Sequence, residues 1–114
     1  MEKLKQIYEG KAKKLNETED ADLVIQEFKD DATAFDATKR GTITNKGIIN
    51  NKLSEKIFTL LSKKGIPTHF IKRLNDRDML VKRVAIVPIE VTMRNIVAGG
   101  MSKLLGLEDR KSVV

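Results

Sequence analysis

KGIINNKLSEKIFTLLSKKGIP, residues 46–67, carries the strongest helical period in the chain. Ile49, Leu53, Ile57, Leu60 and Leu61 recur at steps of four, four, three and one, which lines them along one face of an α-helix. Lys52, Glu55, Lys56 and Lys63 fall off that stripe. Thr44 or Asn45 offers a side chain suited to cap the start, and Gly65 followed by Ile66-Pro67 supplies a left-handed stop. The pattern predicts one helix over 46–64.

Strand-like runs lie on both sides of it. Residues 4–15 (LKQIYEGKAKKL) read as a strand, a glycine break and a second strand, and 22–28 (DLVIQEF) as a third, rich in Val and Ile. After Pro67 the runs 68–74 (THFIKRL) and 78–84 (DMLVKRV) flank Asn75-Asp76-Arg77, a turn sequence that predicts a hairpin. The run 88–97 (PIEVTMRNIV) alternates, so Ile89, Val91, Met93 and Val97 are expected to face the core, with Glu90, Thr92 and Arg94 opposite. Gly99-Gly100 ends it, and residues 101–106 read as the start of a second helix. The polar stretch from Lys29 to Lys46, with DDATAFDATKRGTITNK in its core, is long for a loop in a compact domain, a length that marks functional or mobile segments, with room in it for a short strand. Strands, one long helix, then strands predict an α+β fold: an antiparallel sheet with the helix packed on one side.

At 114 residues, two independent cores do not fit, so the chain reads as one domain. With four Phe, one Tyr and no Trp, the core must be mostly Ile, Leu and Val. No apolar run approaches membrane-spanning length, and the N-terminus carries no signal-peptide stretch, so the chain reads as cytoplasmic. The absence of cysteine excludes a disulfide scaffold and a thiolate metal site, and a single histidine leaves little for an imidazole site; no metal site is expected. A net charge of +6 suits anionic partners: nucleotides, phosphorylated metabolites or nucleic acid. The lysines are spread along the chain with no interleaved aromatics for base stacking, which weighs against nucleic acid.

Three segments hold residues capable of chemistry. In Tyr8-Glu9-Gly10-Lys11-Ala12-Lys13 a glycine between strands lets backbone N–H groups approach a phosphate, and Lys11 and Lys13 fall on one face of the second strand. That is a polyphosphate clamp or a plain turn with surface lysines; it is not a Walker motif. In the second segment Arg94 offers a planar fork to a carboxylate or phosphate beside the Gly99-Gly100 turn, or pairs with Glu90 as a surface ladder. The third is the long loop with Asp30, Asp31, Asp36, Lys39 and Arg40, whose plain reading is a solvated connector. His69 reads as a strand residue near the surface.

In order along nearly the whole chain, these segments resemble the SAICAR synthetase family. The resemblance runs through YEGKAKK at 8–14, DDATAFD at 30–36, KGIINNKLSEKIFTLLSKKGIPTHFIKRL at 46–74, MLVKRVAIVPIEVTMRNIVAG at 79–99 and SKLLGLE at 102–108. It implies ATP-dependent ligation: the carboxylate of carboxyaminoimidazole ribonucleotide is activated by phosphoryl transfer, and the amine of L-aspartate displaces the phosphate. By resemblance Gly10, Lys11, Ala12 and Lys13 line the ATP phosphates, while Val81, Lys82, Val84 and Ile86 flank the adenine as in a kinase-like N-terminal lobe. Arg94 matches the arginine that holds the ribonucleotide, and Asp36 lies in the loop near the substrate and aspartate sites. Lys13, Asp36 and Arg94 are the residues the resemblance would place at the chemistry, which depends on clamping charge and positioning reactants rather than on a reactive side chain.

Three departures from the family pattern stand out. Ala98-Gly99-Gly100 replaces Ala-Gly-Ser, so Gly100 lacks a substrate-facing hydroxyl. Ser102-Lys103-Leu104-Leu105-Gly106 carries Leu104 where the family has arginine, and Asp36-Ala37 stands for Asn-Gly. Family members are longer, and their further part carries the acidic magnesium ligands. The resemblance therefore implies that residues 1–114 form the N-terminal ATP-binding lobe without the C-terminal metal-binding domain, inactive as a ligase alone. The competing expectation is a degenerate, non-catalytic nucleotide-binding or interaction module, with a homo-oligomer open in either case.

Overall fold

The computed structural model describes residues 1–34 and 39–96. In chain order the elements are β1 (Gln6–Glu9), β2 (Lys13–Glu17), β3 (Leu23–Phe28), β4 (Asp31–Ala34), β5 (Lys39–Thr42), α1 (Lys46–Lys63), β6 (Phe70–Arg73) and β7 (Asp78–Lys82). Five strands form one antiparallel sheet in the order β1-β2-β3-β7-β6, and β4 pairs with β5 as a separate hairpin. The fold is α+β, an antiparallel sheet with one helix on it, as the sequence pattern predicts.

The core sits where β3 meets β7. Val24 pairs with Val81 and Gln26 with Met79, and alternation puts Val24, Gln26 and Phe28 on one face of the sheet with Met79 and Val81. Val24, Phe28, Met79 and Val81 form the buried cluster, and Leu15, Phe58 and Phe70 pack against it. Ile25 and Leu80 are buried on the opposite face, where Lys3 bridges Glu27 at 2.7 Å and Asp78 at 3.0 Å. The β6–β7 hairpin forms at the expected turn: the Asn75 side-chain oxygen accepts the N–H groups of Arg77 and Asp78, each at 2.9 Å.

Two expectations about these elements are corrected. Stretch 30–46 is no structureless loop: Asp31 pairs with Thr42 and Ala34 with Lys39 across the β4–β5 hairpin. The two short strands satisfy each other's backbone groups without needing a core. Residues 88–96 form no strand beyond a single bridge residue at Ile96. Ile89, Val91 and Met93 are exposed, Met93 at 94%. The chain leaves the sheet after β7, and an alternating run becomes a strand only when another strand lies alongside to take its hydrogen bonds. The remaining expected core residue, Val97, and the second helix over 101–106 lie outside the described residues.

The helix also packs differently from its pattern. Asn51 is fully buried and Phe58 partly so, yet Ile49, Leu53, Ile57 and Leu60 are all exposed. The face laid on β3 and β6 runs through Gly47, Asn51 and Phe58, and the apolar stripe points away from the sheet. Gly47 and Asn51 let the first turns approach closely. An ideal Cβ on Gly47 would lie 2.5 Å from the Phe28 carbonyl oxygen, so this contact excludes any side chain. Asn51 donates to the carbonyls of Asn75, Asp76 and Asp78, tying the helix to the β6–β7 turn.

The cap is likewise built from a distance. Asn45 takes a left-handed backbone (φ 67°) and its side chain makes no capping bond. The Asp30 carboxylate instead accepts from Gly47 N–H at 2.8 Å and Asn45 N–H at 3.3 Å, and Arg77 grips the same carboxylate at 2.7 and 3.0 Å. At the other end Gly65 adopts the expected left-handed conformation (φ 78°).

Candidate functional site

The Gly10 turn joins β1 to β2 and hangs over the face of the sheet that carries the core cluster. Gly10 N–H donates to Lys13 O at 2.8 Å, which closes the turn. The pairing of β1 with β2 slips between Gln6 and Tyr8, a bulge of the kind that re-aims side chains. Ile7 and Tyr8 on either side of this slip line two different hollows under the turn.

The first hollow, about 310 Å³, is lined by Gly10, Lys11, Ala12 and Lys13, with Tyr8, Leu15, Gln26 and Ile86. Both lysines that sequence alternation places on one face border it. Lys13 holds its ammonium 5.6 Å from the centre of the Phe28 ring, within the range of a cation–π contact. The second hollow, about 220 Å³, is lined by Val81, Lys82, Val84 and Ile86 together with Ile7, Leu15, Val24, Gln26, His69 and Arg83. Leu15, Gln26 and Ile86 border both, so the two spaces adjoin. A cationic glycine turn therefore leads directly into an apolar slot at the end of β7. The eight residues expected to bind the nucleotide are brought together here, although they come from two segments about 70 positions apart in the chain.

The floor of the slot is fixed by backbone bonds. Lys82 N–H donates to His69 O at 2.8 Å and Arg83 N–H to Asp22 O at 2.7 Å. The Arg83 side chain reaches Ala21 O at 2.8 Å. His69 sits edge-on to Phe58 with ring centres 5.2 Å apart. Burial, and then the charge of Lys13, hold its pKa below the ordinary histidine value, which favours the neutral ring.

Beside the Gly10 turn a third space of about 260 Å³ separates it from the β4–β5 hairpin, bordered by Lys11, Lys29, Asp31, Arg40 and Gly41. Lys29 was not legible as a site residue from the sequence. Its place follows only from the strand register: Lys13 pairs with Phe28, so the residue after Phe28 lies beside Ala12. His69, Leu15 and Gln26 were also missed, because each needs the strand register to be placed.

A family profile described as SAICAR synthetase matches residues 6–113. The chain belongs to the SAICAR synthetase family. It is 61% identical over 109 residues to the phosphoribosylaminoimidazole-succinocarboxamide synthase of Zymomonas mobilis, covering 96% of this chain and 42% of that protein. The crystal structure of the Ehrlichia chaffeensis synthase superposes with a TM-score of 0.87 at 47% identity, covering 96% of this chain and 46% of the other. A SAICAR synthetase solved in complex with ADP gives 0.85 at 45% identity, covering 93% and 45%. The chain thus spans less than half the length of the SAICAR synthetases it matches.

One expected site residue among those described is not gathered with the turn. Arg94 lies on the exposed segment after β7 and borders neither hollow. Asp36, Gly100 and Leu104 lie outside the described residues. Among the described residues no three His, Cys, Asp or Glu side chains are arranged to hold a metal ion. No helix among them is long and apolar enough to cross a membrane.

Proposed function

We propose that this chain is the nucleotide-binding lobe of a SAICAR synthetase, contributing to the ATP-dependent ligation of L-aspartate to carboxyaminoimidazole ribonucleotide in purine biosynthesis. The observation that carries this reading is the junction of the cationic Gly10 turn with the apolar slot at the end of β7. A triphosphate needs charge and N–H groups at one end, and a purine needs apolar walls at the other. Lys11 and Lys13 hold the phosphates, while Val81, Val84 and Ile86 wall the base and the backbone from Lys82 pairs with its edge. The ammonium groups do not react; they spread and neutralise the charge that phosphoryl transfer moves.

In this proposal Arg94 and Gly100 serve the ribonucleotide, and Asp36 serves the substrate and aspartate sites. Magnesium, when bound, would supply positive charge that offsets the charge of the phosphates. The described residues do not fit that ion, so its carboxylate ligands are assigned to the part of the family enzyme that this chain does not match. The reaction is placed in the cytoplasm, with no nucleic acid or membrane as partner. A second reading, a non-catalytic nucleotide-binding or interaction module, draws on the exposed apolar face of α1. Calorimetry of the chain with ATP, followed by an assay for SAICAR, separates the possibilities. ATP binding that weakens about tenfold in Lys11→Met and Lys13→Met is expected, with no SAICAR formed by the chain alone. Turnover by the chain alone would overturn the division of labour, and absent ATP binding would overturn the site.

A further inference from the structure

We propose that Lys29 is a positioning residue for nucleotide binding, bracing the Gly10 turn against the β4–β5 hairpin so that the turn's N–H groups face the phosphates. The inference rests on the reading of this chain as a nucleotide-binding lobe and names a residue that sets its geometry. Lys29 touches the turn twice. Its backbone N–H donates to Ala12 O at 2.7 Å, and its ammonium donates to Gly10 O at 3.2 Å. The same ammonium lies 3.4 Å from Glu9 on β1 and 3.1 Å from Asp31 on β4.

A trans peptide plane converts these contacts into aim. Its C=O and N–H point in opposite directions. Holding Gly10 O toward Lys29 turns the Lys11 N–H to the other side of the turn. That side is where Lys11, Ala12 and Lys13 border the hollow assigned to the phosphates, which Lys29 does not line.

The ammonium itself is already committed. Its side chain is only 15% exposed and two carboxylates face it. The bond from Asp31, foremost among the causes, raises its pKa, so it stays charged at neutral pH. A lysine serving phosphate directly keeps an open face toward the ligand, whereas this one spends its donors on three chain segments. An isolated surface ion pair would contribute little. Here one side chain joins β1, the turn and β4, so its removal frees all three.

The test uses the chain as it is, with Lys29→Met, Lys29→Arg, Asp31→Asn and Glu9→Gln. In amide NMR spectra without nucleotide, Lys29→Met should move the Lys11 resonance, and Lys29→Arg should largely restore it. ATP affinity measured by calorimetry should fall about tenfold in Lys29→Met and recover in Lys29→Arg. Asp31→Asn is the discriminating variant. If Lys29 is a brace, losing its anchor weakens ATP binding; if it contacts phosphate, removing a nearby negative charge strengthens it. Tighter binding in Asp31→Asn, or an unmoved Lys11 amide in Lys29→Met, overturns the inference while leaving the nucleotide lobe intact. Should Lys29→Met not fold, Asp31→Asn and Glu9→Gln give the same sign. A wild-type chain that binds no ATP overturns the nucleotide reading itself, and that outcome is seen before any variant is made.

Discussion

Gly47 occupies the point where the first turn of α1 meets the end of β3. A Cβ there would lie 2.5 Å from the Phe28 carbonyl oxygen and 2.7 Å from Arg77 Nη1. Of these, the side-chain end can move and the backbone carbonyl cannot, so Gly47→Ala is expected to destabilise by about 1–3 kcal/mol in urea denaturation. Gly41→Ala is the control, because nothing lies within 4 Å of its Cβ position. Asp30 sits at the same junction. The hydrogen bonds from Arg77, foremost, and from Gly47 N–H hold its pKa well below the ordinary carboxylate value of 3.8. A group depressed in the folded state contributes stability that is complete above its unfolded pKa and lost as pH falls below it. Stability should therefore drop as pH falls below about 3.8, and Asp30→Asn should flatten that part of the curve while lowering stability at neutral pH. Thermal melts from pH 7 down to pH 2 read both effects. Of these two residues, sequence reading noticed Gly47 only as part of a family motif and Asp30 only as a loop acid. Their roles depend on distant partners: the Phe28 carbonyl for Gly47, and Arg77, 47 positions along the chain, for Asp30.

At the scale of the element, α1 shows what periodicity can and cannot say. The stripe of Ile49, Leu53, Ile57 and Leu60 establishes that the segment is a helix with one apolar face. It does not say which face meets the sheet. The sheet contact uses Gly47, Asn51 and Phe58, where small or hydrogen-bonding groups permit close approach and one aromatic fills the remaining space. Phe58→Ala is expected to cost on the order of 2 kcal/mol, since the ring packs against Phe70 and the core cluster. Leu53→Lys and Ile57→Lys should each change stability by no more than about 0.5 kcal/mol, as exposed substitutions do. Denaturation midpoints would decide the matter, and the opposite ranking would mean the stripe is buried. The 88–97 run teaches the same lesson for strands. Its alternation is clean, yet Ile89, Val91 and Met93 are exposed, because β pairing is a contact between segments and no single segment can guarantee it.

Across the whole molecule, apolar surface lies open on the outer face of α1 and along the segment after β7. Continuous exposed apolar surface of this kind binds apolar dyes in the native state. The folded chain should therefore enhance the fluorescence of such a dye, and Leu53→Lys with Ile57→Lys should reduce that signal while leaving the melt nearly unchanged. The amino-acid sequence by itself determined the fold class, the β6–β7 hairpin, the helix and its Gly65 stop, and the family. These rest on local period, turn chemistry and ordered motifs, all of which act over a few residues. It also named the glycine turn and the end of β7 as the two ends of one site. Only the tertiary structure decided that they adjoin, that the helix turns its small face inward, that 30–46 holds a hairpin, and that Lys29 links that hairpin to the glycine turn. Each of those is a relation between segments, set by strand register and by packing, that no local pattern encodes.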